Sequence, residues 1–261
     1  MPDQVFSMTH VAPTITRILG VRDLAHATGQ PIPPIVEEMR GLERLAVLAP
    51  DALGVRSLEH FAGAMPFLWS LYQRRHVNLR SVLPSITPVN FATMVTGCAL
   101  DGHGVRAKEM KVECETVFDV LVEAGKSGAG CGRPGYTGSD LLGRIAQIDG
   151  TAALPDDAAV EEAVMRIARD LTPEFIIAQI GGTDDHFHRF GPYSERVVPK
   201  LCETDGRLQR MVEQLQSLGY GVIILSDHGQ HETGAPPDRG GSHGTDSEED
   251  CLVPCTWISP T

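Results

Sequence analysis

The sequence has no apolar run long enough to span a bilayer. A membrane-embedded chain is therefore not expected. Residues 1–5 lack the basic segment and apolar core of a secretory signal, so a cytoplasmic location is expected. Basic charge is scarce: 22 Lys and Arg stand against 34 Asp and Glu, for a net charge of -12. That balance argues against nucleic acid or an anionic membrane as the bulk partner. It leaves room for a phosphate substrate, because bound metal ions reverse the local sign. The six cysteines, at 98, 114, 131, 202, 251 and 255, are scattered. Cys251-x-x-x-Cys255 has no second pair to complete a metal site, and all six are read as reduced thiols. No internal repeat, low-complexity tract or long linker divides the 261 residues, so one domain over residues 1–261 is expected.

What is present is alternation. Short apolar runs at 45–51, 77–83, 127–131, 175–180, 222–225 and 251–258 read as strands. Amphipathic stretches at 9–20, 35–40, 57–72, 115–124, 156–171 and 194–218 read as helices between them. Pro254 inside the last run suggests an edge strand. Thr87-Pro88 begins another helix, with Thr87 as N-cap, Pro88 at the first helical position and Gly97 as the stop. Residues 132–155 are Gly-rich and carry no clear pattern. The fold class this predicts is α/β: a doubly wound, mostly parallel sheet with helices on both faces.

Several runs end in metal-type ligands. Asp51 closes the first core strand. Asp184 and His188 follow the run 175–180, Asp227 and His228 follow 222–225, and His243 lies in a glycine-flanked loop. Ligands in open α/β sheets bind beyond the carboxyl ends of strands. Three carboxylates and three imidazoles there suit two divalent metal ions, Zn²⁺ first, with Mn²⁺ or Fe²⁺ as alternatives. Paired metals are a standard apparatus for phosphoryl transfer. A hydroxyl at a helix N-terminus, that of Thr87, would be the nucleophile. The Asn90 side chain and backbone N–H groups at the helix start would hold the non-bridging oxygens.

These residues resemble the alkaline phosphatase superfamily, and most closely its nucleotide pyrophosphatase/phosphodiesterase-like branch. The motifs are 84–90 (PSITPVN) with 95–97 (VTG) and 103–104 (HG), Asp184-x-x-x-His188-x-x-Gly191-Pro192, Ser226-Asp-His-Gly229 and Gly241-Ser-His-Gly244. The resemblance covers roughly residues 44–258. It implies one metal held by Asp184, His188 and His243. It implies a second held by Asp51, Asp227, His228 and the Thr87 oxygen. It further implies a covalent phospho-threonine intermediate that water then hydrolyses. Two positions depart from the family pattern: the usual Asp-Gly is Asp51-Ala52, and the usual Pro before Asn is Val89. The segment 10–20 resembles a helix that family members carry after their final strand. That implies a circularly permuted alkaline phosphatase-like core, with the chain ends close together.

Little of the chain is left to form a large cap. Within 132–155, Arg133, Tyr136 and Thr137 are candidates for substrate contact over an otherwise exposed site, with an oligomer partner as the alternative cover. The expected substrate is a small phosphoester. A phosphomonoesterase or phosphonoacetate-type hydrolase is the alternative within the superfamily. A catalytically inactive metal- or phosphate-binding protein is the alternative of another class.

Overall fold

The computed structural model describes residues 4–234 and 240–260. Among these, eight strands form one sheet and two form a hairpin. The sheet strands are β1 (Val5–Ser7), β2 (Arg44–Pro50), β3 (Val77–Arg80), β4 (Gly128–Gly132), β5 (Ile148–Thr151), β6 (Phe175–Ile180), β7 (Tyr220–Leu225) and β10 (Leu252–Ile258). The hairpin pairs β8 (His231–Thr233) with β9 (Gly240–Ser242). The order across the sheet is β1-β3-β10-β7-β2-β6-β4-β5. Every pairing is parallel except those of β10, which runs antiparallel to both its neighbours.

Strands covered on both faces read as continuous apolar runs, and β2, β6 and β7 do so. Their residues alternate between two cores. Ala46, Leu48, Ile176, Ala178, Val222 and Ile224 join one core, under the helices Val55–His60, Pro66–Arg74, Asp157–Asp170 and Val198–Ser217. Leu45, Val47, Ala49, Phe175, Ile177 and Ile223 join the other, under Val11–Leu19, Pro33–Met39, Thr87–Thr96 and Val117–Glu123. The doubly wound α/β architecture is therefore present.

Three sequence expectations need correction. β10 is not an edge: it lies between β3 and β7. Pro254 is tolerated because it pairs with Asn78 of β3, while pairing with β7 begins only at Cys255. The helix expected over 57–72 is two helices, since Pro66 starts a new one. Thr87 is not an N-cap: Ile86 holds that place with extended backbone, and Thr87 is the first helical residue. Residues 132–155, which carried no clear pattern in the sequence, are also placed. They supply the end of β4, a π-helical stretch Gly138–Gly143 packed on it, and the edge strand β5.

β1 and β10 flank β3 on opposite sides, and Gln4, Phe6 and Trp257 line one surface cavity. Both described chain ends thus lie at the same end of the sheet, as permutation requires. Thr261 and residues 235–239 of the loop after Gly229 lie outside the described residues. Among those described, no helix is long and apolar enough to cross a membrane.

Candidate active site

β7, β2 and β6 are neighbours and parallel, so their carboxyl ends open at one edge. Asp51 follows β2 directly, its N–H donating to the Ile180 carbonyl at 3.0 Å. Asp227 and His228 follow β7 and are fully buried. The run after β6 turns at once into a helix, Gly182–Phe190, which places Asp184 and His188 one turn apart on one face. His243 comes from just beyond β9, so hairpin pairing carries it back over the strand ends.

The three imidazoles share one arrangement. Nδ1 of His188 lies 2.9 Å from the Gly241 carbonyl, Nδ1 of His228 lies 3.0 Å from that of Gly229, and Nδ1 of His243 lies 3.0 Å from that of Ser85. A carbonyl only accepts, so each Nδ1 carries the proton and each Nε2 keeps a lone pair. The Nε2 atoms converge: those of His188 and His243 are 3.2 Å apart. The His228 and His243 rings stack at 3.9 Å. Nε2 of His188 is 3.3 Å from Asp184 Oδ1, and Nε2 of His228 is 3.3 Å from Asp227 Oδ2 and 3.6 Å from Asp51 Oδ1. Asp51 Oδ1 and Asp227 Oδ2 are buried without any hydrogen-bond donor.

Such a set is costly without a cation. Burial, then the Asp227 and Asp184 charges, push the Asp51 carboxyl well above its usual range. Burial also raises Asp184, opposed by His228 and His188. His243 is pushed down to about 3, by burial first and then by His228. Lone pairs facing lone pairs and partnerless buried carboxylate oxygens are what divalent ions would satisfy. Two groups have ligand atoms all within 4.8 Å of one another: Asp51, Asp227 and His228, and Asp184, His228 and His243. His228 therefore sits between the two. The residues fit the divalent metals expected from the sequence.

Thr87 meets this cluster. Its Oγ1 lies 3.0 Å from His228 Nε2, at the first residue of a ten-residue helix. Asn90 does not face it. The Asn90 amide is buried and used on the preceding segment, accepting from the Val82 N–H at 2.7 Å and donating to the Val82 and Ile86 carbonyls at 3.2 Å. It shapes the loop that delivers Thr87. Arg133 and Thr137 are also buried. Arg133 donates to Asp185 at 2.8 Å instead of facing open solvent, and the Tyr136 hydroxyl donates to the same carboxylate at 2.9 Å.

The motifs passed over several supporting residues. Gln179 Nε2 donates to Asp51 Oδ2, and its Oε1 accepts from the Gly138 N–H. Gln230 Nε2 donates to Asp184 Oδ1 at 2.6 Å. Ser226 Oγ accepts from the Leu53 N–H at 2.9 Å, and Asp227 Oδ1 from the Ala52 N–H at 3.2 Å. That last bond needs Ala52 at φ +62°, the left-handed backbone that glycine adopts freely. The departure from Asp-Gly thus leaves the loop shape intact, at a cost of about 1 kcal/mol. A lone Gln inside the apolar β6 was the one signal that could have found Gln179.

No curated protein matches the sequence. Among solved structures, phosphonoacetate hydrolase from Sinorhizobium meliloti 1021, in complex with phosphonoacetate, has a similar fold, with a TM-score of 0.59 at 17% identity over 75% of this chain and 58% of that one. Murine ectonucleotide pyrophosphatase/phosphodiesterase 5 is similar, with a TM-score of 0.59 at 17% identity over 74% of this chain and 58% of that one. An inactive Thr-to-Ala variant of the murine protein, in complex with AMP, gives 0.54 at 18% identity over 74% and 58%. The chain thus spans less than two thirds of the length of these neighbours. The family model for type I phosphodiesterase / nucleotide pyrophosphatase matches residues 45–119 and 132–240. That match takes in Asp51, Thr87, Asp184, His188, Asp227 and His228 and stops just short of His243. The chain belongs to the type I phosphodiesterase / nucleotide pyrophosphatase family, within the alkaline phosphatase superfamily.

Proposed function

We propose that the chain is a two-metal phosphodiester hydrolase with Thr87 as nucleophile. The observation that carries this reading is the convergence of three imidazole Nε2 atoms and two partnerless carboxylate oxygens beside the Thr87 hydroxyl. Asp184, His188 and His243 would hold one ion; Asp51, Asp227, His228 and Thr87 Oγ1 would hold the other. Bound ions would supply Lewis acidity to the phosphoryl oxygens and acidify the hydroxyl. The chain's own residues do the rest. Thr87 stands at the positive end of its helix, where the Thr87 and Val89 N–H groups precede the first helical bond and Pro88 has none to offer. Thr87 Oγ1 attacks phosphorus, its proton passes to solvent, and the bond to the leaving alkoxide breaks, the alkoxide taking a proton from water to leave as the alcohol. Water then attacks the phospho-threonine and returns the free hydroxyl and phosphate monoester.

The murine neighbour, inactive when a threonine is replaced by alanine and found with AMP, supports a nucleotide-like diester. The phosphonoacetate hydrolase neighbour keeps a carbon–phosphorus substrate as the second reading.

The test is turnover of bis-p-nitrophenyl phosphate, p-nitrophenyl phosphate and phosphonoacetate with Zn²⁺ or Mn²⁺, wild type beside Thr87→Ala. Diester turnover that falls at least about 10³-fold in Thr87→Ala, with metal content kept, supports the reading. A variant that keeps most of the rate overturns the covalent step. A preference for phosphonoacetate moves the assignment to the second reading. Metal binding with no turnover of any of the three favours a binding protein.

A further inference from the structure

Arg133 is a buried cation that pairs with carboxylates from two helices, by a hydrogen bond to Asp185 and at ion-pair distance from Asp157. Its guanidinium donates to Asp185 Oδ2 at 2.8 Å, and its Nε stands 3.5 Å from Asp157 Oδ1. The Arg133 and Asp157 side chains are 8% and 3% exposed. Asp157 begins the helix Asp157–Asp170, and its other oxygen accepts the N–H of Gly182, the first residue of the helix that carries Asp184 and His188. Both arms therefore end on one turn: Gly182 at its start and Asp185 beside Asp184. The backbone is shaped for this. A Cβ at Gly181 would lie 2.3 Å from the Arg133 guanidinium, and one at Gly182 would lie 2.3 Å from Asp157 Oδ2. The Tyr136 ring packs 3.9 Å from the same guanidinium, and its hydroxyl closes the circuit on Asp185.

We infer that Arg133, with Asp157, is a positioning residue for the metal-ligand helix 182–190: it sets the angle at which Asp184 and His188 meet His243. The inference rests on the metal-centre reading above. The planar guanidinium hydrogen-bonds Asp185 while its Nε stays within ion-pair range of Asp157, which a lysine ammonium cannot do in the same geometry. Partners that orient metal ligands typically change metal affinity about 10–100-fold when removed.

The experiment is a two-site Zn²⁺ titration of the full chain by calorimetry, wild type beside Arg133→Met, Arg133→Lys and Asp185→Asn. Amide hydrogen exchange over 182–190 and 87–96 of the metal-free proteins accompanies it. Expected is one binding step weakened about 10-fold or more in Arg133→Met, the other unchanged, with Arg133→Lys recovering only part of the loss. Exchange should accelerate over 182–190 and stay as in wild type over 87–96. Should Arg133→Met not fold, Asp185→Asn removes one arm at constant size and is expected to show the same selective pattern. Wild-type affinity at both steps, with unchanged exchange, overturns the inference. So does a variant whose only defect is a higher KM, which would make Arg133 a substrate contact. A wild type that binds no Zn²⁺ or Mn²⁺ sinks the metal-centre reading instead, and the exchange pattern alone then decides the clamp.

Discussion

Gln179 shows how one buried polar side chain ties the site to the fold. Its amide links the Asp51 carboxylate to the Gly138 N–H across β6. Gln179→Leu would leave two buried groups without partners, at about 2–4 kcal/mol together. A chemical denaturation midpoint well below wild type, with weaker metal binding, is the expected outcome. Asp227→Ala should lower metal content as well as rate, read by elemental analysis and turnover, because it removes a ligand carboxylate. His103 gives a pH signature apart from the Asp and His cluster. It is wholly buried under the Thr87–Thr96 helix, where its Nδ1 accepts the Val105 N–H, and burial pushes it down to about 4 from 6.5. The unfolded chain takes up a proton below pH 6.5 that the folded chain refuses until about 4. Stability is therefore full above pH 6.5 and lost as pH falls toward 4. His103→Gln should remove up to about 3 kcal/mol of that acid loss, measured by unfolding at stepped pH. Sequence made the gathering of Asp and His legible because these residues at strand ends have few other reasons to be there. It could not show that the Asn90 amide is used on the Val82 and Ile86 backbone or that Arg133 is paired with Asp185 and Asp157, since rotamers and partners depend on segments far along the chain.

At the scale of elements, two contacts do what no local signal announces. The helix Pro66–Arg74 has no capping side chain of its own, and Asp205 from the helix Val198–Ser217 accepts the Phe67 and Leu68 N–H groups at 3.0 and 2.9 Å. Asp205→Ala should cost about 1–2 kcal/mol, read from thermal or urea unfolding. Gly229 lets the strand-end loop pass under the C-terminal segment, for a Cβ there would lie 2.0 Å from the Glu249 carbonyl oxygen. Gly229→Ala should therefore destabilise the fold by more than about 2 kcal/mol and weaken metal binding through the shifted His228. The strands of the central sheet were legible because β-branched runs bounded by polar residues have little freedom. The helix Gly182–Phe190 was not, because its sequence is polar, it starts at a pair of glycines, Gly181 and Gly182, and its start is fixed by Asp157 from elsewhere.

For the whole molecule, chelation is the direct probe. Removing metal from a site with buried, partnerless carboxylates should lower the melting temperature by several degrees, restored by excess Zn²⁺ or Mn²⁺. The permutation has its own test. Gln4 stands two ladder spacings from Cys255, about 10 Å, so a short Gly/Ser linker can join the old ends. A chain joined there and reopened before β2 should fold with a melting temperature within a few degrees of wild type, in the element order the resemblance implies. Failure of the joined chain to fold would count against permutation.

The sequence by itself determined the alternation of strands and helices, the two-sided burial of β2, β6 and β7, and the residue types gathered at their carboxyl ends. These follow from short-range chemistry: apolar periodicity, turn residues and the scarcity of other uses for Asp and His together. Only the tertiary structure decided that β10 is interior, that residues 148–151 add an edge strand, and that Arg133 is paired with acids from two helices. Each of those depends on which distant backbone or charge lies alongside, and no local pattern encodes a partner twenty or more residues away.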